Sequence, residues 1–401
     1  MKIALVTTEY TTELKGAGGL ANYLYRLALA LKEMGHQPYV FTYSKTDGFV
    51  EHEGIPVYRM RVKNYLIELL DHLTFKRWSK SLHLIYPAWK MSKLLRRVAK
   101  VEHFDIVQYS QLGAIGLFPL KNIPVVIRIS SHTVLWKEHG GYAENWQQIH
   151  QQEALENKAC LSADGVFGPS RAIAALFEKE LGLKVQIIET PFFSHHLQLD
   201  PSVYAANLAG KQYWLFFGTL SAHKGFKVIA DGLLAFLEKY PSCYFVFAGK
   251  EIELAPGLKS MDYLKKQVGK AELLERVLYL GQVGHNQLFP IIQGAYAVTL
   301  PSLADNFPNA CLEAMACGKI VIGTLGNGFD QLIEAGKNGY VVEAGNTSAL
   351  FQAMDEAMAL PAEIKRGWEA AARKRIELLH PSFKVKELLD YYSSIIAQHK
   401  R

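Results

Sequence analysis

Residues Leu300 to Thr324 read LPSLADNFPNACLEAMACGKIVIGT, and their reading decides the fold. The segment opens at the end of an apolar run, AYAVTLPS, which reads as a buried strand. It turns through Asp305-Asn306-Phe307-Pro308 and enters a helix. Pro308 suits the first helical position, because its missing N–H has no intrahelical partner there. The helix is expected to stop at Gly318, with a second strand from Lys319 to Gly323. Ala310, Cys311, Leu312, Ala314, Met315, Ala316 and Cys317 make it apolar nearly all round, so it is a buried helix. Glu313 breaks that pattern. A buried carboxylate needs a hydrogen-bonding partner or its pKa rises. No Lys or Arg stands within a turn of it, so its partner is a distant part of the chain or a ligand.

Outward from this stretch the chain alternates strands and helices. Strands are expected at 2–7, 37–43, 104–109, 123–129, 165–168 and 185–190. After a polar, aromatic linker from Phe192 to Gly210 the pattern restarts, with strands at 213–218, 244–248, 277–280, 296–300, 319–323 and 340–342. Such alternation in both halves specifies an α/β chain of two parallel sheets, each covered by helices. The expected domains are 1–192, 193–380 and a final helix over 381–401 that packs back on the first domain.

The chain has 401 residues, 49% of them hydrophobic, which is ample for two cores. There is no apolar run of transmembrane length, and Met1 to Val6 reads as a strand, not a signal peptide. Cys160, Cys243, Cys311 and Cys317 form no CxxC pair, as for free thiols in a cytoplasmic, reducing compartment. A net charge of +6 is too diffuse to argue for nucleic acid.

Local chemistry clusters at expected strand ends. The first strand is followed by a long loop ending in Gly16-Ala17-Gly18-Gly19, then a helix. Gly18 and Gly19 thereby place backbone N–H groups and the positive helix end where an anion binds. A dinucleotide fold is excluded. The loop is too long for that fold's tight turn, and the strand ending Phe41-Thr42-Tyr43-Ser44 offers no acid for a ribose. His132 lies just past a strand's carboxyl end, where open α/β sheets place ligands, although a lone histidine is more often a structural residue. Lys224, beside Gly225 at a helix start, supplies a cation and backbone donors, or is a solvated surface lysine. Asp305 is an N-cap or a ligand-facing acid. Because helical side chains tilt toward the N-terminus, Asp305 and Glu313 both address the space above the helix start. A cation and amides for phosphates, with an acid for hydroxyls, describe a site for a nucleotide sugar.

Residues 59–100 differ in character. Eleven Lys and Arg face only Glu68 and Asp71, with Tyr65, Phe75, Trp78, Tyr86 and Trp89 interleaved. Such a segment lies on an anionic membrane surface, binds an anionic acceptor, or is a solvated helix face.

The opening stretch, with Gly326-Asn327-Gly328 and Ile333-Glu334-Ala335-Gly336-Lys337-Asn338-Gly339, resembles the retaining glycosyltransferases of family 4. The resemblance extends through the Gly18-Gly19 loop, His132, Gly168-Pro169-Ser170, the Gly218–Gly225 loop and Gly281-Gln282-Val283. It implies the GT-B fold, two Rossmann-like domains facing across a cleft, the first for the acceptor and the second for the donor. It makes Asp305 and Glu313, with seven residues between them, the family's two-carboxylate motif. Two departures stand out. The first acid is Asp305 where the family usually has Glu, and Thr219 stands where the family usually has Arg.

By the same resemblance Lys224 binds the donor diphosphate, and Glu313 holds the ribose hydroxyls. Asp305 and the amides of Asn306, Phe307 and Asn309 hold the sugar. His132 sits near sugar and acceptor, and Gly18 and Gly19 let the diphosphate or acceptor approach. Gly218, Thr219, Gly225 and Val283 complete the substrate-binding set. The implied activity is retaining, metal-independent transfer from a UDP- or GDP-sugar to a glycan or lipid-linked acceptor. It needs no cofactor and belongs to polysaccharide or glycoconjugate synthesis at the inner membrane face. The alternatives are a nucleotide-sugar epimerase or phosphorylase on the same fold, or a degenerate sugar-binding subunit.

Overall fold

The computed structural model describes residues 1–13, 19–62, 79–138, 145–192 and 198–399. The chain divides into two units. The first comprises Met1–Val134, Glu144–Pro191 and His380–Arg401, and the second Leu135–Ala143 and Phe192–Leu379.

The strands of the first unit are β1 (Lys2–Thr7), β2 (Gln37–Ser44), β3 (Gly48–His52), β4 (Ile55–Arg61), β5 (Ile106–Ser110), β6 (Val125–Arg128), β7 (Gly165–Gly168) and β8 (Val185–Ile187). They form one sheet in the order β3-β4-β2-β1-β5-β6-β7-β8. Every pairing is parallel except β3 with β4. This hairpin is absent from the sequence expectation, which assigns no element to 45–58. It turns at Glu53 and Gly54, both at positive φ, and β4 absorbs Arg59 and Arg61.

The sheet is buried on both faces, as its unbroken apolar strands require. On one face Ile3, Leu5, Ile106 and Val126 meet Leu24, Leu27 and Leu31 of the helix Gly19–Glu33. Val385, Leu388, Leu389, Tyr392 and Ile395 of the helix Pro381–His399 join them. On the other face Ala4, Val6, Val107 and Ile127 meet Met91 and Leu95 of the helix Ser79–Glu102 and Phe177 of the helix Arg171–Leu181. The latter helix starts where the sequence places its cap: Ser170 Oγ accepts from the Ile173 amide at 3.3 Å. It ends at Gly182, whose φ of 65° suits the left-handed C-terminal cap.

The second unit's main sheet runs β13-β10-β9-β14-β15-β16, all parallel. Its strands are β9 (Gln212–Phe217), β10 (Cys243–Ala248), β13 (Val277–Tyr279), β14 (Ala297–Thr299), β15 (Val321–Thr324) and β16 (Gly339–Val342). A separate two-stranded piece, β11 (Glu253–Ala255) with β12 (Leu258–Lys259), is antiparallel.

The deciding stretch is folded nearly as read, with one correction. Pro308 is the extended residue before the helix (φ −70°, ψ 113°), and the helix runs Asn309–Ala316. Cys311, Leu312, Ala314 and Met315 of this helix are buried in the core. The chain leaves through Gly318 at φ 69° into β15. All four cysteines are free thiols. No helix among the described residues is long and apolar enough to cross a membrane.

Candidate functional site

In the second unit two loops at the carboxyl ends of β9 and β14 are tied together. The Leu303 amide donates to His223 O at 2.7 Å. Gly225, at φ 75°, caps the helix Phe226–Lys239, and a Cβ there would stand 1.9 Å from Pro301 O. Only glycine lets the loops approach so closely. Gly218 and Thr219 enter the first loop directly from β9. The approach brings Lys224 to Asp305, Nζ to Oδ2 at 2.6 Å, so two of the expected site residues form an ion pair.

The Asp305 carboxylate is held from several sides. Oδ2 also accepts from Ser302 Oγ at 3.2 Å, and Oδ1 accepts from the Asn306 amide at 3.1 Å. The Asp305 amide donates to Asn327 Oδ1 at 3.2 Å. Asn327 Nδ2 in turn donates to Ser302 O at 3.1 Å and Thr324 Oγ1 at 3.1 Å. Gly328 completes the brace: at φ 71° it lies so close that a Cβ would meet Asn306 O at 1.8 Å. The Gly326-Asn327-Gly328 segment therefore shapes the Asp305 turn, a role its residue types alone do not reveal.

Phe307 turns its ring into the core, which leaves only its backbone to the site, and Asn309 is the first helical residue. Trp136, which groups with this unit, places its ring 5.4 Å from Lys224 Nζ and 5.2 Å from the His223 ring. It was missed because nothing local to Trp136 points to a loop nearly ninety residues away.

Glu313 has a protein partner. His285 Nε2 lies 3.0 Å from Glu313 Oε1, and the Glu313 side chain is 12% exposed. His285 opens the helix His285–Gly294 two residues after Val283, which packs against the core. A single histidine after Gly284 carries no sequence signal of this pairing.

The expected residues of the first unit are placed differently. Gly19 is the first residue of its helix, whereas Gly18 lies outside the described residues. His132 is only 5% exposed and faces carboxylates of its own unit. Nε2 stands 2.9 Å from Glu180 Oε2 and 3.4 Å from Glu153 Oε1, and the ring meets Phe177 edge-on. These three residues are the group among the described residues whose ligand atoms lie close enough together to hold a metal ion. Next to it, Glu156 is 1% exposed and takes four donors: Gln111 Nε2 (3.1 Å), the Gly113 amide (2.8 Å), Thr133 Oγ1 (2.6 Å) and Gln152 Nε2 (2.7 Å). Burial raises the Glu156 pKa, and the bonds from Thr133, Gln152 and Gly113 oppose the rise. Glu156 thus anchors the residue that follows His132.

Part of the basic segment, 63–78, lies outside the described residues. In the remainder Arg59 pairs with Glu13 at 2.8 Å and Lys90 with Asp47 at 3.3 Å. Along the helix Ser79–Glu102, Trp89, Lys93, Arg96, Arg97 and Lys100 are exposed, and Lys93 Nζ sits 3.7 Å from the Trp89 ring centroid.

Residues 205–375 match the family model described as glycosyl transferases group 1, and residues 17–191 match that of glycosyltransferase family 4. An uncharacterized glycosyltransferase of Methanocaldococcus jannaschii is 26% identical over 373 residues, covering 89% of each chain. The fold is shared with sucrose-phosphate synthase from Thermosynechococcus elongatus (TM-score 0.76, 19% identity, 99% of each chain). It is shared also with HepE of Anabaena, whose structure was solved with UDP-glucose (TM-score 0.67, 20% identity, 98% of this chain and 100% of that one).

Proposed function

The chain is a glycosyltransferase of the family 4 type with the GT-B fold, and from that premise we propose that it transfers a sugar from a nucleotide-sugar donor with retention of the anomeric configuration. The observation that carries the reading is the 2.6 Å contact of Lys224 with Asp305 at the turn before the helix Asn309–Ala316. It sets a cation for the leaving diphosphate beside an acid for the sugar hydroxyls. The bond from sugar C1 to the phosphate oxygen breaks, and C1 bonds to the acceptor hydroxyl on the same face. The hydroxyl proton passes to the departing phosphate, whose charge Lys224 neutralises. Glu313 binds the ribose diol, sharing or exchanging its bond to His285. No metal and no protein nucleophile take part.

UDP is the preferred nucleotide on the strength of the UDP-glucose complex of the similar Anabaena protein. The acceptor is a glycan or a lipid-linked sugar bound by the first unit. In this reading the exposed basic stripe around Trp89 lies against an anionic membrane at its cytoplasmic face, a reading its exposed cations support.

The test is incubation with UDP- and GDP-sugars and a panel of acceptors, with product configuration read by NMR. Transfer with the donor's anomeric configuration supports the reading. An inverted product, or an epimerised sugar formed without acceptor, overturns it. A non-catalytic sugar-binding subunit is the second reading, favoured by Thr219 and by the engagement of Lys224 with Asp305. It is separated by nucleotide binding without turnover.

A further inference from the structure

In the first unit a cation is buried without an anion. Arg128, the last residue of β6, is 6% exposed. Its guanidinium lies 3.7 Å from the centroid of the Tyr23 ring and donates one hydrogen bond, Nη2 to Thr190 Oγ1 at 3.0 Å. Among the described residues no carboxylate pairs with it. A guanidinium carries five N–H donors, and burying one against a ring and a neutral hydroxyl leaves both its charge and most of its donors unanswered.

Its surroundings are those of a ligand site. Arg128 is in register with Ser110, the last residue of β5, so both side chains leave the same face of the sheet at the strands' carboxyl ends. Ser110 is 3% exposed, and its Oγ has no hydrogen-bond partner. Tyr23 is the fifth residue of the helix Gly19–Glu33, and its ring tilts back toward that helix's start. Through Tyr23 the guanidinium is directed toward the N-terminal part of that helix, whose positive dipole end also favours negative charge. On the same face Gln108 accepts from Tyr392 OH, which closes the polar patch from below.

We propose that Arg128 and the Ser110 hydroxyl, at the start of the helix Gly19–Glu33, bind a phosphate group carried by the acceptor. A phosphate takes two parallel N–H bonds from the guanidinium fork and a third from the hydroxyl, and the helix dipole adds to its attraction. The site itself follows from the buried cation and the orphaned hydroxyl; its assignment to the acceptor rests on the transferase reading.

The test uses the full chain in thermal-shift titrations with inorganic phosphate, against chloride of equal ionic strength. Phosphate is expected to raise the melting temperature of the wild type, less so for Ser110→Ala, and not for Arg128→Gln. An equal phosphate-dependent shift in wild type and Arg128→Gln overturns the site. Should Arg128→Gln not fold, wild-type crystals soaked in tungstate decide: an anomalous peak within hydrogen-bonding reach of Arg128 supports the site, and its absence there overturns it. Separate titrations with a sugar phosphate and with UDP identify the bearer. A shift by the sugar phosphate that needs Ser110 supports the acceptor; a Ser110-dependent shift by UDP alone overturns that assignment. These readouts do not depend on sugar transfer, so failure of the transferase reading leaves the anion site standing.

Discussion

Lys224 Nζ stands 2.6 Å from Asp305 Oδ2 across 81 residues of chain, so the cation assigned to the donor diphosphate already holds a carboxylate. Asp305→Asn removes the competing charge. Because the pair is partly exposed, the gain is about 1 kcal/mol, and UDP is expected to bind about five-fold tighter. Transfer falls about a hundred-fold, since the sugar loses its acid. Lys224→Ala lowers transfer by a similar factor and weakens UDP. Isothermal titration beside a coupled assay of nucleotide release separates the two; tighter UDP binding by Lys224→Ala would remove Lys224 from the diphosphate site.

Glu313 and His285 make a second measurable pair. If Glu313 reads the ribose diol, wild type prefers UDP to 2′-deoxy-UDP, and Glu313→Ala loses that preference. A hydrogen bond to a charged group is worth about 1.5–3 kcal/mol, so the preference is about ten- to a hundred-fold. His285→Ala frees Oε1 and is expected to tighten UDP about three-fold, an effect of ~0.6 kcal/mol. Competition binding with both nucleotides decides; an undiminished preference in Glu313→Ala would move the ribose elsewhere.

Glu156 predicts a pH dependence of stability. Burial holds its pKa above the ordinary 4.5, so the native state favours the protonated form. The stabilisation from this group is full at pH below the unfolded value and is lost as pH rises through the raised folded value. Glu156→Gln cannot titrate. Its melting temperature is lower throughout, because donors lose an acceptor, but falls less steeply with rising pH across this window. Parallel slopes for the two proteins would contradict the assignment.

Two neighbouring glycines behave differently under the same substitution. Gly326 is at φ 74° with open space around its Cβ position, and Gly326→Ala costs about 1–2 kcal/mol, from backbone conformation alone. Gly328→Ala adds a collision with Asn306 O and displaces the turn that carries Asp305. It is expected to cost about 3 kcal/mol or more and to abolish transfer, as overpacking adds to strain. Denaturant melts and activity of both variants check this.

The exposed Lys93, Arg96 and Arg97 provide the membrane test. Replacing all three by Gln is expected to reduce pelleting with phosphatidylserine vesicles at least ten-fold, at about 1 kcal/mol for each charge. Lys90 is left intact because Asp47 already pairs with it. Equal pelleting would argue for a simple solvated helix face.

The backbone plan and the deciding stretch were legible because each rests on local signals: apolar runs, a capping serine at Ser170, a glycine exit at Gly318. The proline was misplaced by one residue, since an extended ψ before a helix and a first-turn ψ share the same φ and the same ring. What could not be read was contact between distant segments. His285 meets Glu313, Asn327 holds Asp305, and Trp136 sits over Lys224, each across 22 or more residues of chain. No local period records such meetings. The β3–β4 hairpin escaped for another reason: its turn, Glu53-Gly54, lies in a short stretch where polar residues interrupt the strand pattern. The position of His132 past a strand end is local and legible, whereas its engagement with Glu153 and Glu180 joins segments 21 and 48 residues away and is not.

The helix Pro381–His399 has a bearing on how the protein is made. It covers Ile3, Leu5 and Val126 of the first unit, yet it is synthesised only after the whole of 192–379. Segments 1–134 and 144–191 emerge early but wait for the whole of 192–379 before their apolar face is closed. The second unit, continuous from Phe192 to Leu379 apart from one short segment, has all its strands beforehand. Maturation therefore runs against the order of synthesis, with the later unit completed first. A nascent chain stalled near residue 380 would carry a finished second unit and an uncovered first one, a natural client for a chaperone.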